Sequence, residues 1–173
     1  GGIHDGQTIL KDDFQANQNE KPCVVNFSPS SEGVNVTIDA NSGSCSSFCG
    51  LRGYFEGVYL KVPKSCESEE RKKTHTEFKR LYDRKEYQEA RNKLEPLLKD
   101  CFDSLEWIEK GWIHNDLAIT QYKIGDLSGC QQTLKPYAAD AARTEEDIRK
   151  EYPPRDVDSY IAILKATRTN LKL

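Results

Sequence analysis

Between Cys23 and Val62 apolar and polar residues alternate. In 34-VNVTIDA-40, Val34, Val36, Ile38 and Ala40 share one side, which is the period of a half-buried strand. The segment 23-CVVNF-27 alternates in the same way, and 28-SPSSEG-33 between the two holds the Pro, Ser and Gly of a hairpin loop. A third strand is predicted at 54-YFEGVYLKV-62, with Val58, Leu60 and Val62 on one face, a bulge at Gly57 and Pro63 as its stop. Residues 1–20 are polar and weakly patterned, with Ile9, Leu10 and Phe14 as their anchors. They read as a partly ordered terminus, a loose arm or a short helix.

Beyond Cys66 the period changes from two to between three and four. Phe78, Leu81 and Tyr82, then Tyr87, Ala90, Leu94, Leu97 and Leu98, recur at helical intervals, so each predicted helix has one apolar face to bury. Pro96 is expected to bend the second helix or end it early. The segment 112–141 repeats the order of apolar helix, turn and apolar helix, with Gly125 and Asp126 at the bend. In the tail a charged stretch is broken by Pro153-Pro154. A last helix follows, capped by Asp156 or Asp158, and reads as the cover of the stack's end rather than a recognition helix. The predicted fold class is therefore α+β, a small antiparallel disulfide-linked sheet in 1–66 followed by a stack of antiparallel helices in 67–173.

The two helical segments align on each other. Placing 81-LYDRKEYQEARNKLEPL-97 over 121-QYKIGDLSGCQQTLKPY-137 matches Glu86 to Asp126, Tyr87 to Leu127, Ala90 to Cys130, Leu94 to Leu134 and Pro96 to Pro136. This internal repeat resembles the tetratricopeptide family, whose helix pairs carry a large and a small residue just after the turn. Tyr87 with Ala90 and Leu127 with Cys130 occupy those places, while Ala118 and Tyr122 look like the small and aromatic residues of a leading helix. The resemblance implies stacked helical hairpins. The chain departs from it in its repeat length, in Lys85 at the place of a turn glycine, and in a first leading helix without a small residue.

Composition changes the picture mainly through cysteine. Cys23, Cys45, Cys49, Cys66, Cys101 and Cys130 are even in number and none forms a C-x-x-C pair, so three disulfides in an exported protein are the expectation. Cys101 with Cys130 is the preferred pair, the other two bonds falling among the remaining four cysteines. Against this stands a free buried thiol at Cys130 serving as a large alanine. A metal held by Cys45 and Cys49 with His75 or His114 is disfavoured, because the histidines lack partner spacing. The chain opens on Gly1-Gly2 and holds no methionine, so a processed or truncated chain is expected, compatible with a removed export signal that the sequence itself does not show. With 25 basic and 28 acidic residues there is no field to gather nucleic acid. No apolar run approaches the ~18 residues of a membrane span, so no membrane insertion is expected.

A search for chemistry finds no catalytic motif. His114 and Asp116 stand two apart, point away from each other on a helix and make no dyad unaided. The serines of 42-SGSCSSFCG-50 lack a G-x-S-x-G elbow, and the glycines at 50, 53 and 57 interrupt a strand rather than open a helix. The cluster 71-RKK-73 follows 67-ESEE-70 and reads as a self-paired solvated face. No catalytic residue, metal or cofactor is expected. What remains is binding, by Phe48, Arg52, Tyr54, Phe55 and Tyr59 along one strand, and by Trp107 and Trp112 flanking a turn. The competing expectation is that these aromatics fill the core. The chain thus reads as a periplasmic or extracellular non-enzymatic protein that binds another protein, as an inhibitor or immunity protein against an envelope-directed hydrolase. A structural adaptor of an envelope assembly and a hydrolase with an unrecognised site are the alternatives.

Overall fold

The computed structural model describes residues 5–10, 21–42, 45, 48 and 54–173. Cys49 and Arg52 lie outside them. The fold is α+β, and the chain divides into two compact units, Gly1–Lys61 and Val62–Leu173.

The first unit is an antiparallel meander of β1 (Gln7–Leu10), β2 (Cys23–Pro29), β3 (Gly33–Ile38) and β4 (Gly57–Leu60), in that spatial order. The alternation of β2 and β3 sends Cys23, Val25 and Phe27 and Val34, Val36 and Ile38 into one cluster, which Cys45 and Phe55 complete. Register follows from pairing Phe27 with Val36, and the Cys23–Cys45 disulfide ties the chain beyond β3 back to the start of β2. Two expectations are corrected. Gln7–Leu10 is a strand, too short to show a period of its own and held by Gln7 pairing with Asn26 through Leu10 with Cys23. Tyr54 precedes β4, and no bulge occurs at Gly57, whose φ of 146° opens a strand with unbroken register from Val36↔Gly57 to Gly33↔Leu60.

The second unit opens with a 3-10 turn at Lys64–Cys66 and continues through α1 (Ser68–Asp83), α2 (Tyr87–Asp100), α3 (Trp107–Lys123), α4 (Leu127–Ala141), α5 (Glu145–Glu151) and α6 (Val157–Asn170). Lys72 and Lys73 pair with Glu69 and Glu70 on α1 as expected, and Glu77 pairs with Arg80, whereas Arg71 of the same basic cluster reaches across to Glu109 on α3. Its apolar stripe, Phe78 and Leu81, meets Ala90, Leu94 and Leu97 of α2 and Ile113 and Leu117 of α3 in one core. Neither proline ends its helix. α2 runs past Pro96 to Asp100 and α4 past Pro136 to Ala141. A proline removes one backbone bond, but Leu97, Cys101 and Ala141, all buried, hold the following turn in place.

The two hairpins share their turn geometry residue for residue. Glu86 N–H donates to the Leu81 carbonyl at 3.0 Å and Lys85 N–H to that of Tyr82 at 2.9 Å; Asp126 N–H donates to Gln121 at 2.9 Å and Gly125 N–H to Tyr122 at 3.0 Å. This is the paired closure of a helix C-terminus around one left-handed residue. That residue is Gly125 (φ 86°) in the second hairpin and Lys85 (φ 65°) in the first. A side chain there costs ~1–2 kcal/mol, of which glycine's greater unfolded-state freedom returns ~0.5–1. Lys85→Gly is therefore expected to stabilise the unit by about 0.5–1 kcal/mol, and Gly125→Ala to weaken it comparably. Urea midpoints of the two variants check this.

The disulfides also differ from expectation. Cys66 bonds Cys101, clamping the turn before α1 to the end of α2, and Cys130 is a free, buried thiol. The preferred Cys101–Cys130 pair is overturned because Cys130 lies inside α4, packed with Leu134 of the same helix against Ala118 of α3. Burial raises its thiol above the ordinary value, as for a small apolar filler.

The last helix packs on α3 and α4. Buried Asn115 donates to Thr167 Oγ1 at 3.0 Å, and Gly111 leaves room for Ile163, whose methyls would lie 2.8 Å from an added Cβ.

Candidate binding groove

The leading helices of the two hairpins, α1 and α3, both pack on α2. Between them runs a cavity of about 830 Å³, floored by Leu97, Ile108, Trp112 and Ile113. Its α1 rim carries Arg71, Lys72 and His75, and its α3 rim Glu109 and Asp116, with Glu106 at the N-cap of that helix. Two side-chain pairs join the rims. Arg71 grips Glu109 through two bonds, Nε to Oε1 at 2.9 Å and Nη2 to Oε2 at 3.1 Å, and also donates to the carbonyl of Cys66. The Cys66–Cys101 bond thereby fixes the chain that positions Arg71. One helical turn further on, His75 Nε2 lies 3.1 Å from Asp116 Oδ2. That hydrogen bond raises the imidazole above its ordinary value, although partial burial works against it.

Trp112 stands on α3 between Glu109 and Asp116 and keeps 40% of its surface exposed. The expected turn between the two tryptophans is helical instead, since α3 begins at Trp107. Five residues apart on a helix, the two rings diverge. Trp107 stacks on Tyr152 at 5.7 Å and meets Tyr160 at 4.9 Å, in a cluster where both phenols donate to Asp140 Oδ2. The structure thus separates Trp107 from Trp112.

The aromatics of the first unit are only partly gathered. Phe48, Phe55 and Tyr59 line an apolar groove of about 500 Å³ over the sheet face of Val25, Phe27, Val34 and Val36. Tyr59 donates to the Phe55 carbonyl at 2.8 Å. Tyr54 does not line that groove and is 77% exposed.

Sequence reasoning missed Arg71, His75, Glu109 and Asp116 as a group. His114, which it weighed against Asp116, turns to the Lys110 carbonyl 2.7 Å away and sits edge-on to Tyr137, where burial lowers its affinity for a proton. Asp116 is left to face α1. The repeat alignment holds the signal that could have found the group, because it brings position 75 opposite 115 and 71 opposite 111. Leading helices set side by side in that register place residues 71 and 75 across from 109 and 116. The lining holds no serine or cysteine. Among the described residues no three His, Cys, Asp or Glu side chains gather as a metal site. The arrangement offers an apolar floor between two oppositely charged rails, a surface suited to a polypeptide segment.

No protein-family profile matches this chain, no curated protein matches its sequence and no solved structure matches its fold. The fold and groove themselves define a small α+β protein in which a disulfide-linked sheet precedes stacked helical hairpins.

Proposed function

We propose that the protein is an exported, non-enzymatic binder of another protein, and that the groove between α1 and α3 is its contact surface. The observation that carries this reading is Trp112, a half-exposed aromatic of the apolar floor standing between two charged pairs. Aromatics so placed dominate interface energetics. The hairpins' resemblance to the tetratricopeptide family supports it, since the groove lies on the leading helices of both hairpins. Two disulfides support a periplasmic or extracellular location. Among the described residues no helix is long and apolar enough to cross a membrane. Within this class, an inhibitor or immunity protein against an envelope-directed hydrolase fits a small, stapled chain best, and a structural adaptor of an envelope assembly is the second use of such a groove.

Trp112→Ala tests the reading. Immobilised wild-type protein is expected to retain a partner from the native envelope fraction, identified by mass spectrometry. Trp112→Ala should weaken its binding by more than about 2 kcal/mol, roughly thirtyfold, with the melting temperature unchanged. The double variant Tyr54→Ala/Tyr59→Ala should bind as wild type. The opposite pattern would move the contact surface to the first unit.

A further inference from the structure

The His75–Asp116 pair belongs to two cavities at once. It lines the 830 Å³ groove and also a second hollow of about 360 Å³, walled by Phe78, Lys79, Tyr82, Asp83 and Ile119. Both hollows lie between the same two helices, so together they form one furrow along α1 from Arg71 to Asp83, and the pair stands across it. One partner comes from each rim. At the outer end Arg71 and Glu109 make a bridge whose charges persist across physiological pH, whereas the bridge in the middle contains an imidazole.

We propose that His75 and Asp116 form a proton-operated latch that divides the furrow when the imidazole is charged and joins its halves when the imidazole is neutral, admitting a longer polypeptide segment. This rests on the groove being the binding surface. The charged imidazole donates to the carboxylate in a charge-assisted bond, roughly twice as strong as the neutral one left after deprotonation. Both side chains are partly exposed, His75 at 49% and Asp116 at 33%, so solvent reaches the pair for proton exchange, while the ring also rests near Phe78 at 5.8 Å.

The surrounding charges leave Asp116 as the partner that decides. On α1, Arg71 is taken by Glu109, Lys72 by Glu69 and Lys79 by Asp83. On α3, Glu109 is held by Arg71, and Glu106, the residue that precedes this helix, lines the same groove. Tyr82 remains uncharged, its phenol raised by burial and by neighbouring acidic groups. From α2 only apolar Leu97 reaches the lining. Asp116 therefore holds the proton on His75 to a higher pH than a free imidazole would. The latch is fully made below the ordinary histidine value of about 6.5 and releases as pH rises through the raised one.

Trp112 borders the latch and reports on it without any partner. In a Trp107→Phe background, the bimolecular constant for acrylamide quenching of Trp112, with lifetimes measured separately, is expected to rise about twofold in one step between about pH 5 and about pH 8. His75→Gln should abolish the step, and Asp116→Asn should give the higher value throughout. The chain's other histidines stay in the His75→Gln variant, so a step that survives there overturns the proposal, as does a flat wild-type profile. Should the Trp107→Phe background not fold, the solvent-isotope shift of 5-fluorotryptophan at Trp112 gives the same readout in the unaltered chain. Failure of the step with capture through Trp112 intact would remove the latch alone. Loss of capture with the step intact would remove the binding reading instead.

Discussion

Replacing Cys66 and Cys101 together by alanine is expected to cost the helical unit about 3–5 kcal/mol. The bond spans a sequence separation of 35, and opening it frees that loop in the unfolded chain. Among the described residues it is the one disulfide within Val62–Leu173. Cys66 is fully buried and Cys101 is 3% exposed, and they join the turn entering α1 to the end of α2 at the edge of the core of Phe78, Leu81, Leu94 and Leu97. The same turn presents the carbonyl that holds Arg71, so the groove's outer bridge should loosen as well. Both tryptophans lie in Val62–Leu173, which makes their fluorescence in urea a direct measure of this unit. A loss below about 1 kcal/mol would show that the hairpins stand without their clamp.

Leu94→Ala and Leu134→Ala are expected to cost about 2–5 kcal/mol each. The two residues occupy the same position in successive hairpins and both are fully buried. Leu94 fills the core shared by α1, α2 and α3, whereas Leu134 packs with Ala118, Cys130 and Tyr122. Similar losses would mean that each hairpin is closed by the same internal contact. A cost under about 1 kcal/mol at Leu134 would instead show that the second hairpin collapses around the missing side chain, and that the equivalence stops at the turns. Urea unfolding followed by tryptophan fluorescence distinguishes these outcomes.

The sheet and the hairpins were legible because they rest on local periods. Val34, Val36 and Ile38 alternate, Phe78 through Leu98 recur helically, and one alignment carried Ala90 onto Cys130 and Lys85 onto Gly125. β1 was not legible, since four residues are too few to display a period and their register is set by pairing with β2. Pro96 misled for a related reason. A proline's local cost is visible in sequence, while the buried leucines and the disulfide that outweigh it are not.

Local chemistry thus determined on its own where strands and helices form, which faces they bury, and that a small residue was wanted at position 130. Tertiary structure alone decided which cysteines meet. Cys66 and Cys101 lie at two ends of one hairpin and come within 5.2 Å between Cα atoms only when α1 and α2 fold back on each other, which leaves Cys130 unpaired. It also decided the candidate site. His75 and Asp116 are 41 residues apart in sequence, and Arg71 and Glu109 are 38. Each residue by itself looks like part of a solvated helix face, and each pair exists because stacking two hairpins sets α1 beside α3, a relation carried by packing through α2 rather than by any stretch of the chain.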